Sequence, residues 1–388
     1  MSGTSISFWP VTGVEQPVSI DRLTWEQVLA WRMRRHHLVV RGAPQDLLRV
    51  VSDICGLHAQ LMSSAELSLW ARIDGLAPEA IDVALWCERS LVKLWAMRGT
   101  LHLLPSAELG VWIAALSTIT NRGMTGHPEI DRLSEAVGRA IEGRVLTREE
   151  LAVEVRRLTG DEKLVEFVRF SWGSYLKPGS FRGLLCFAEN DGNLIQFTSP
   201  ESWIPGGLER PDPAESLKEI TRRFLRTYAP ITAAELALWW GGFGPARGRK
   251  MLAALGDEAV EIELEGDRVW ALDKDLPAMM NTEPQHTARL LPAFDPWVAA
   301  ASREGAAVID PEHRSRVYRP QGWLSPVLLV DGRMVGTWKQ TRKGKRLQVE
   351  IEPFKRLPVN TRELLEAEVE RLHVFLGADL DLTLKWVA

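Results

Sequence analysis

Along residues 24–37, 44–57 and 64–73, apolar side chains recur every third or fourth position, the spacing of helices that bury one face. Between the second and third of these, in I-C-G-L-H-A-Q-L-M-S-S-A-E at 54–66, the rhythm breaks. Gly56 reads as a helix stop, and Ser63 followed three residues later by Glu66 has the form of a capping box that starts the next helix. Residues 58–62 are therefore expected to form a connector. In a helix, side chains two positions apart point roughly 200° from one another and cannot share a target. In a connector, His58 and Gln60 can converge.

A fourth helix follows Pro78, and residues 94–104 alternate about Arg98-Gly99 as a hairpin does. The order of helices and then a hairpin returns twice. After a helix near Arg144, Thr147 and Glu150 form a capping box, a helical stretch is expected at 167–176, and 184–197 sets apolar strands about Asn190-Asp191-Gly192-Asn193. After Asp212 come a helix to Tyr228, a second Thr-x-x-Glu box at Thr232 and Glu235, a basic helix at 245–255 and a hairpin at 260–271.

Three helices and a two-stranded wing are the winged-helix arrangement. Residues 18–130, 131–205 and 206–282 are therefore expected to be three tandem winged-helix units, the first fitting most loosely. This order puts His58 and Gln60 in the turn between two helices, a place that lies next to nucleic acid in helix-turn-helix proteins. Residues 283–388 change character, with short strands at 288–294, 307–310, 323–330, 334–340 and 347–353 and a last helix at 360–376. A small β-barrel with a terminal helix is expected there. The fold class read from the pattern is α+β, mainly α.

At 388 residues with 45% hydrophobic and 25% charged side chains, the chain has the composition of a globular protein with ample core. No apolar run approaches the about 18 residues of a membrane span, and residues 1–17 show no basic segment leading into an apolar one, so a cytoplasmic protein is expected. Cys55, Cys87 and Cys186 stand far apart in apolar contexts and are expected to be buried thiols. Most of the 16 tryptophans fall in apolar helical stripes and are expected to pack the core. A net charge of −4 argues against a nucleic-acid partner, but the average hides basic clusters at 32–37, 247–250 and, most densely, 339–346.

Familiar sites are missing. The glycines at 242–248 have neither the spacing nor the Lys-Ser/Thr pair of a phosphate loop, the 8 histidines make no zinc spacing, and there is no G-x-S-x-G elbow. No metal and no cofactor is expected. By spacing alone, His58 and Gln60 either satisfy backbone groups at a helix end or act on a substrate. Arg98 and the 339–346 run are likewise either solvated charges or phosphate contacts.

The strings G-L-H-A-Q at 56–60, L-V-K-L-W-A-M-R-G-T-L-H-L-L-P at 91–105, L-L-P-A-F-D-P at 290–296 and S-P-V-L-L-V-D-G-R-M-V-G-T-W at 325–338 resemble the winged-helix DNA glycosylases typified by AlkZ and YcaQ. The resemblance implies tandem winged helices and a β-barrel around a concave DNA-binding face. It also implies removal of bulky or cross-linked N7-alkylguanine, in DNA repair or in self-resistance to a genotoxin. The family's Gln-apolar-Gln motif falls on residues 58–60, where Gln60 matches and His58 replaces the first glutamine. His58 and Gln60 are therefore expected to be catalytic, His58 either as an orienting group or as a general base with a pKa near the ordinary ~6.5. Arg34, Arg35, Arg98, Arg342, Lys343, Lys345 and Arg346 are expected to contact phosphate in double-stranded DNA carrying alkylated guanine, with the protein acting as a monomer. The alternatives are a non-enzymatic winged-helix DNA-binding protein or regulator, and an inert scaffold in which His58 and Gln60 only cap helices.

Overall fold

The computed structural model describes residues 18–19, 23–119, 127–170, 173–300 and 305–387, so the reading of residues 1–17 lies outside the described residues. The first helix, Trp25–Arg35, begins at a capping box in which Thr24 and Gln27 satisfy each other's backbone amides. The second is shorter than the periodicity predicts. A turn at Pro44–Asp46 leads into Leu47–Asp53, and the chain then bends through Cys55 and Gly56, both at positive φ, into a two-residue strand, Leu57–His58. Glycine is needed at 56, because its φ of 91° is strained for other residues and a Cβ would sit 2.6 Å from Leu104 Cδ2.

The capping box expected at Ser63 and Glu66 does not form. The next helix, Met62–Trp70, starts one residue ahead of Ser63 with Leu61 at its N-cap and no side-chain cap bond. The cause is strand pairing. Leu57 and His58 lie opposite Leu103 and His102, and the Ala59 amide donates to the Leu101 carbonyl (2.8 Å), so the chain stays extended almost to the first helical residue. The expected connector is thus an added strand on the predicted hairpin, whose strands Leu91–Trp95 and Leu101–Pro105 meet at a turn with Arg98 at φ 58°.

The next two segments share one order of elements. In one, helix Pro128–Ile141, strand Leu146–Thr147, helices Arg148–Thr159 and Glu162–Arg169 and the strands Cys186–Phe187 and Gln196–Thr198 follow in turn. In the other, helix Pro213–Tyr228, a bridge from Ile231 to Trp270, helices Ala233–Gly241 and Pro245–Ala253 and the hairpin Ala259–Leu264 with Asp267–Leu272 follow. Both Thr-x-x-Glu boxes form. Of the helix expected at 167–176, only 167–169 are helical, as the end of Glu162–Arg169; residues 170 and 173–176 break the helix, and a short one, Lys177–Phe181, follows. Gly173 at φ 63° lies within the break and packs so closely on Trp95 that a Cβ would come within 2.5 Å of the indole.

The C-terminal barrel is corrected to an open sheet among the described residues. Five strands run in the order Ala288–Leu291, Val327–Val330, Arg333–Lys343, Arg346–Pro353, Asp381–Trp386. The last strand, missed in the sequence, is parallel to its neighbour, and a parallel pair needs a crossover connection. That crossover is the helix Val359–Gly377. It buries Leu365, Val369 and Leu372 in one cluster with Ala288 and Leu290 of the opposite edge strand, so this edge is met by a helix and not by a closing strand. The strand expected at 307–310 is a turn.

Two hydrophobic cores result. One joins the two repeated segments to Val92, Leu94, Leu104 and Trp112; the other joins Leu57, Leu91 and Leu103 to Leu290, Leu328 and Val349 of the five-stranded sheet. The small sheet carrying His58 therefore divides the cores, with one face turned to each. Cys55 and Cys186 are buried, but Cys87 is exposed. Among the described residues no helix is long and apolar enough to cross a membrane.

Candidate active site

Extended backbone sends side chains two apart to the same side. His58 ends the strand buried, at 7% exposure, and Gln60 follows at the surface. The His58 ring stacks on Phe294 (centroids 5.0 Å, planes 14° apart) and meets His102 edge-on at 5.5 Å. His58, His102, Arg98, Tyr228 and Trp239 line a cavity of about 10 Å³, which has room for roughly one water.

Burial pushes the His58 pKa down to about 3, and the Arg98 guanidinium lowers it further in the same direction. His102 is held well below its ordinary value by the same two causes and by His58. Both rings are neutral at pH 7, and the expected pKa near 6.5 for His58 is corrected. His102 Nδ1 lies 3.0 Å from the Thr100 carbonyl, to which it must donate, so its Nε2 is left as an acceptor. His58 Nδ1 is buried and makes no hydrogen bond among the described residues. A residue that capped a helix would spend that nitrogen on backbone. His58 does not, and Gln60 likewise makes no hydrogen bond among the described residues.

The support for this pair comes from residues that spacing did not single out. Phe294, at φ 60°, precedes Asp295, whose carboxylate takes a bidentate pair from Arg72 (2.7 and 2.8 Å) and accepts from the Trp297 amide (2.9 Å). Arg72 and Asp295 are both fully buried, and Arg72 also donates to the Ser68 carbonyl (2.8 Å). The ion pair pins the loop bearing Phe294 to the end of the helix that follows Gln60. An aspartate inside the apolar string L-L-P-A-F-D-P was the one available signal, and nothing in the sequence marked Arg72 as its partner.

A model of the AlkZ-like DNA glycosylase family matches residues 51–375. The chain belongs to that family. An interstrand DNA cross-link repair glycosylase of Streptomyces sahachiroi is 36% identical over 370 residues, covering 90% of this chain and 96% of the relative. The solved structure of the Streptomyces sahachiroi DNA glycosylase AlkZ superposes with a TM-score of 0.82 at 34% identity, over 94% of this chain and all of that one. The chain is thus a DNA glycosylase, a hydrolytic enzyme of mixed α and β structure. Membership sets aside the reading as a non-enzymatic regulator.

In this glycosylase the expected phosphate-contacting residues fall in three places. Arg98 shares the cavity with His58 and donates to the Trp239 carbonyl at 3.3 Å. Arg34 and Arg35 lie at the end of the first helix. Arg34 is exposed and donates to the Glu283 carbonyl, whereas Arg35 is half-buried over Trp31 and donates to the Arg226 carbonyl. Arg342, Lys343, Lys345 and Arg346 are exposed at the tip of the longest hairpin among the described residues, turned at Gly344 with φ 57°. Neither of the last two groups touches His58 or Gln60 among the described residues. One cluster there, Asp310, Glu312 and His313, has metal-ligand spacing. The Lys355 ammonium lies 2.9 Å from Asp310 and 3.3 Å from Glu312, and supplies the cation itself.

Proposed function

We propose that this DNA glycosylase hydrolyses the N-glycosidic bond of bulky or cross-linked N7-alkylguanine in double-stranded DNA, with His58 and Gln60 ordering the attacking water. The observation that carries the reading is the buried His58 ring nitrogen without a partner among the described residues, beside a cavity the size of one water and two residues from a surface amide. The relative named for interstrand cross-link repair supports the substrate class.

An N7-alkylguanine is cationic, so the C1′–N9 electron pair leaves onto a base that becomes neutral without being protonated. What is left for the enzyme is to stabilise positive charge on the sugar and to deliver water to C1′, where the new C1′–O bond forms as the water gives up one proton to bulk solvent. The Gln60 carboxamide oxygen accepts a hydrogen bond from that water and lies ready to face the cationic sugar. His58 is a weak base at a pKa of about 3. In the free enzyme its chemistry is therefore to accept a hydrogen bond and orient water, because general-base catalysis is efficient only for a group whose pKa lies near the operating pH.

We read residues 18–130, 131–205 and 206–282 as three tandem winged-helix units around this site, with 283–388 supplying the basic hairpin. Arg34, Arg35, Arg98 and the 342–346 tip hold phosphates by charge, independently of sequence. The protein acts as a cytoplasmic monomer. The deciding experiment incubates it with a duplex containing one N7-alkylguanine, cleaves abasic sites with heat or base, and measures strand scission. Scission at the lesion alone supports the reading, and an intact strand alongside bound DNA rejects it.

A further inference from the structure

The ring stack that begins at His58 does not end at Phe294. Phe294 meets Trp323 edge-on, with centroids 4.9 Å apart and planes at 75°. Trp323 is 47% exposed, and among the described residues it is the one tryptophan that stands in solvent. An indole is a costly thing to leave in water, and the chain holds this one there by construction. The turn Pro320–Gly322 places Gln321 at φ 60° and Gly322 at φ 78°, and the Arg319 amide donates to the Trp323 carbonyl (2.8 Å) across the base of the loop. Arg319, Pro320, Gln321 and Gly322 are exposed with it. An edge-on contact with Phe294, its one ring contact among the described residues, together with its exposure leaves at least one indole face open, two rings away from the catalytic histidine.

We infer that Trp323 is a substrate-positioning residue whose open face stacks on a planar aromatic group at the lesion. The inference rests on the proposed function for its substrate. The chemistry is that of single-base recognition: an aromatic platform takes any flat π-system, and the backbone-anchored loop holds the platform rigid. Two sources offer such a face, the alkylated guanine or its neighbour on one hand and a planar substituent carried by N7 on the other. Phe294 relays the position of the stacked group to the His58 ring.

The test compares full-length wild-type protein with W323A, W323L and W323F on two duplexes, one carrying N7-methylguanine and one carrying an N7-guanine adduct with a planar aromatic substituent. Affinity and the single-turnover rate at saturating enzyme are both measured. W323A and W323L are expected to bind the lesion duplex about 10-fold more weakly, the size of one lost base–aromatic stack, while W323F restores most of the affinity. Loss on both duplexes assigns the stack to a nucleobase, and loss on the aromatic adduct alone assigns it to the substituent. Unchanged affinity of W323A on both overturns the inference. So does wild-type affinity in W323L, which would make the indole only a cover for Phe294. If wild-type protein releases neither base, the proposed function fails, and the affinity comparison still decides the role of Trp323.

Discussion

The strand at His58 and the hairpin tip at Arg342–Arg346 both serve DNA in this reading, yet they are built on opposite principles. His58 is buried, stacked and neutral, held by Phe294 on one side and His102 on the other. The tip is four cations in open solvent on an eleven-residue strand and its neighbour. Taking a polar ring out of water costs free energy that packing from elsewhere must offset, so the first region depends on distant parts of the chain: residues 72, 98, 102 and 294–295. The second depends on local charge and a turn. Chemistry at a bond requires fixed geometry, whereas attraction to a polyanion does not.

If that contrast is right, the buried region should be fragile. The largest effect is expected for Asp295→Ala, which leaves the fully buried Arg72 guanidinium without its partner. Breaking such a pair costs about 3–5 kcal/mol. Urea unfolding measures it, and a loss below about 1 kcal/mol would show that the pair is not the brace described. Next come His58→Ala and Gln60→Ala, each expected to slow base release at saturating enzyme by about 10²-fold or more with DNA affinity little changed. Because His58 is neutral far below pH 7, the wild-type rate should stay flat from pH 8 to pH 5. A fall centred near pH 6.5 would mean that the ring titrates in its ordinary range.

Stability gives a third, smaller effect. The folded pKa of His58 is depressed from an unfolded value near 6.5 to about 3, so below pH 6.5 the unfolded chain takes up a proton that the folded one refuses. Stability is therefore complete above pH 6.5 and falls as pH falls toward 3, by about 2 kcal/mol from this residue between pH 6.5 and 5. His102 and His36, both lowered chiefly by burial, act in the same direction. Melting temperatures across that range should drop less in His58→Ala than in wild type. The smallest effect belongs to the tip. Reversing charge at Arg342, Lys343, Lys345 and Arg346 should weaken duplex binding about 10-fold at low salt and flatten its salt dependence, while leaving stability and the saturated rate unchanged. A loss of stability there would erase the contrast.

Legibility followed the same division. The capping boxes at Thr147 and Thr232 and the hairpin about Arg98 were readable because each is settled by residues within a few positions. The box at Ser63 had the same local form and failed, because pairing with Leu101 and Leu103 decided where the helix began. The barrel failed for a related reason. The alternating D-L-T-L-K-W at 381–386 signals a strand, but nothing nearby says that it lies parallel to residues 346–353 across a 19-residue helix.

By itself the sequence determined the repeated order of helices and hairpins, the basic tip, and the pair His58 and Gln60 as the place to look. Only the tertiary structure decided that His58 is buried and neutral, that Phe294 and His102 bracket it, and that Arg72 finds Asp295 223 positions away. Caps and turns are fixed by short-range hydrogen bonds and backbone sterics. A pKa or a ring stack is fixed by what the rest of the chain brings within a few ångströms, and spacing along the chain carries no record of that distance.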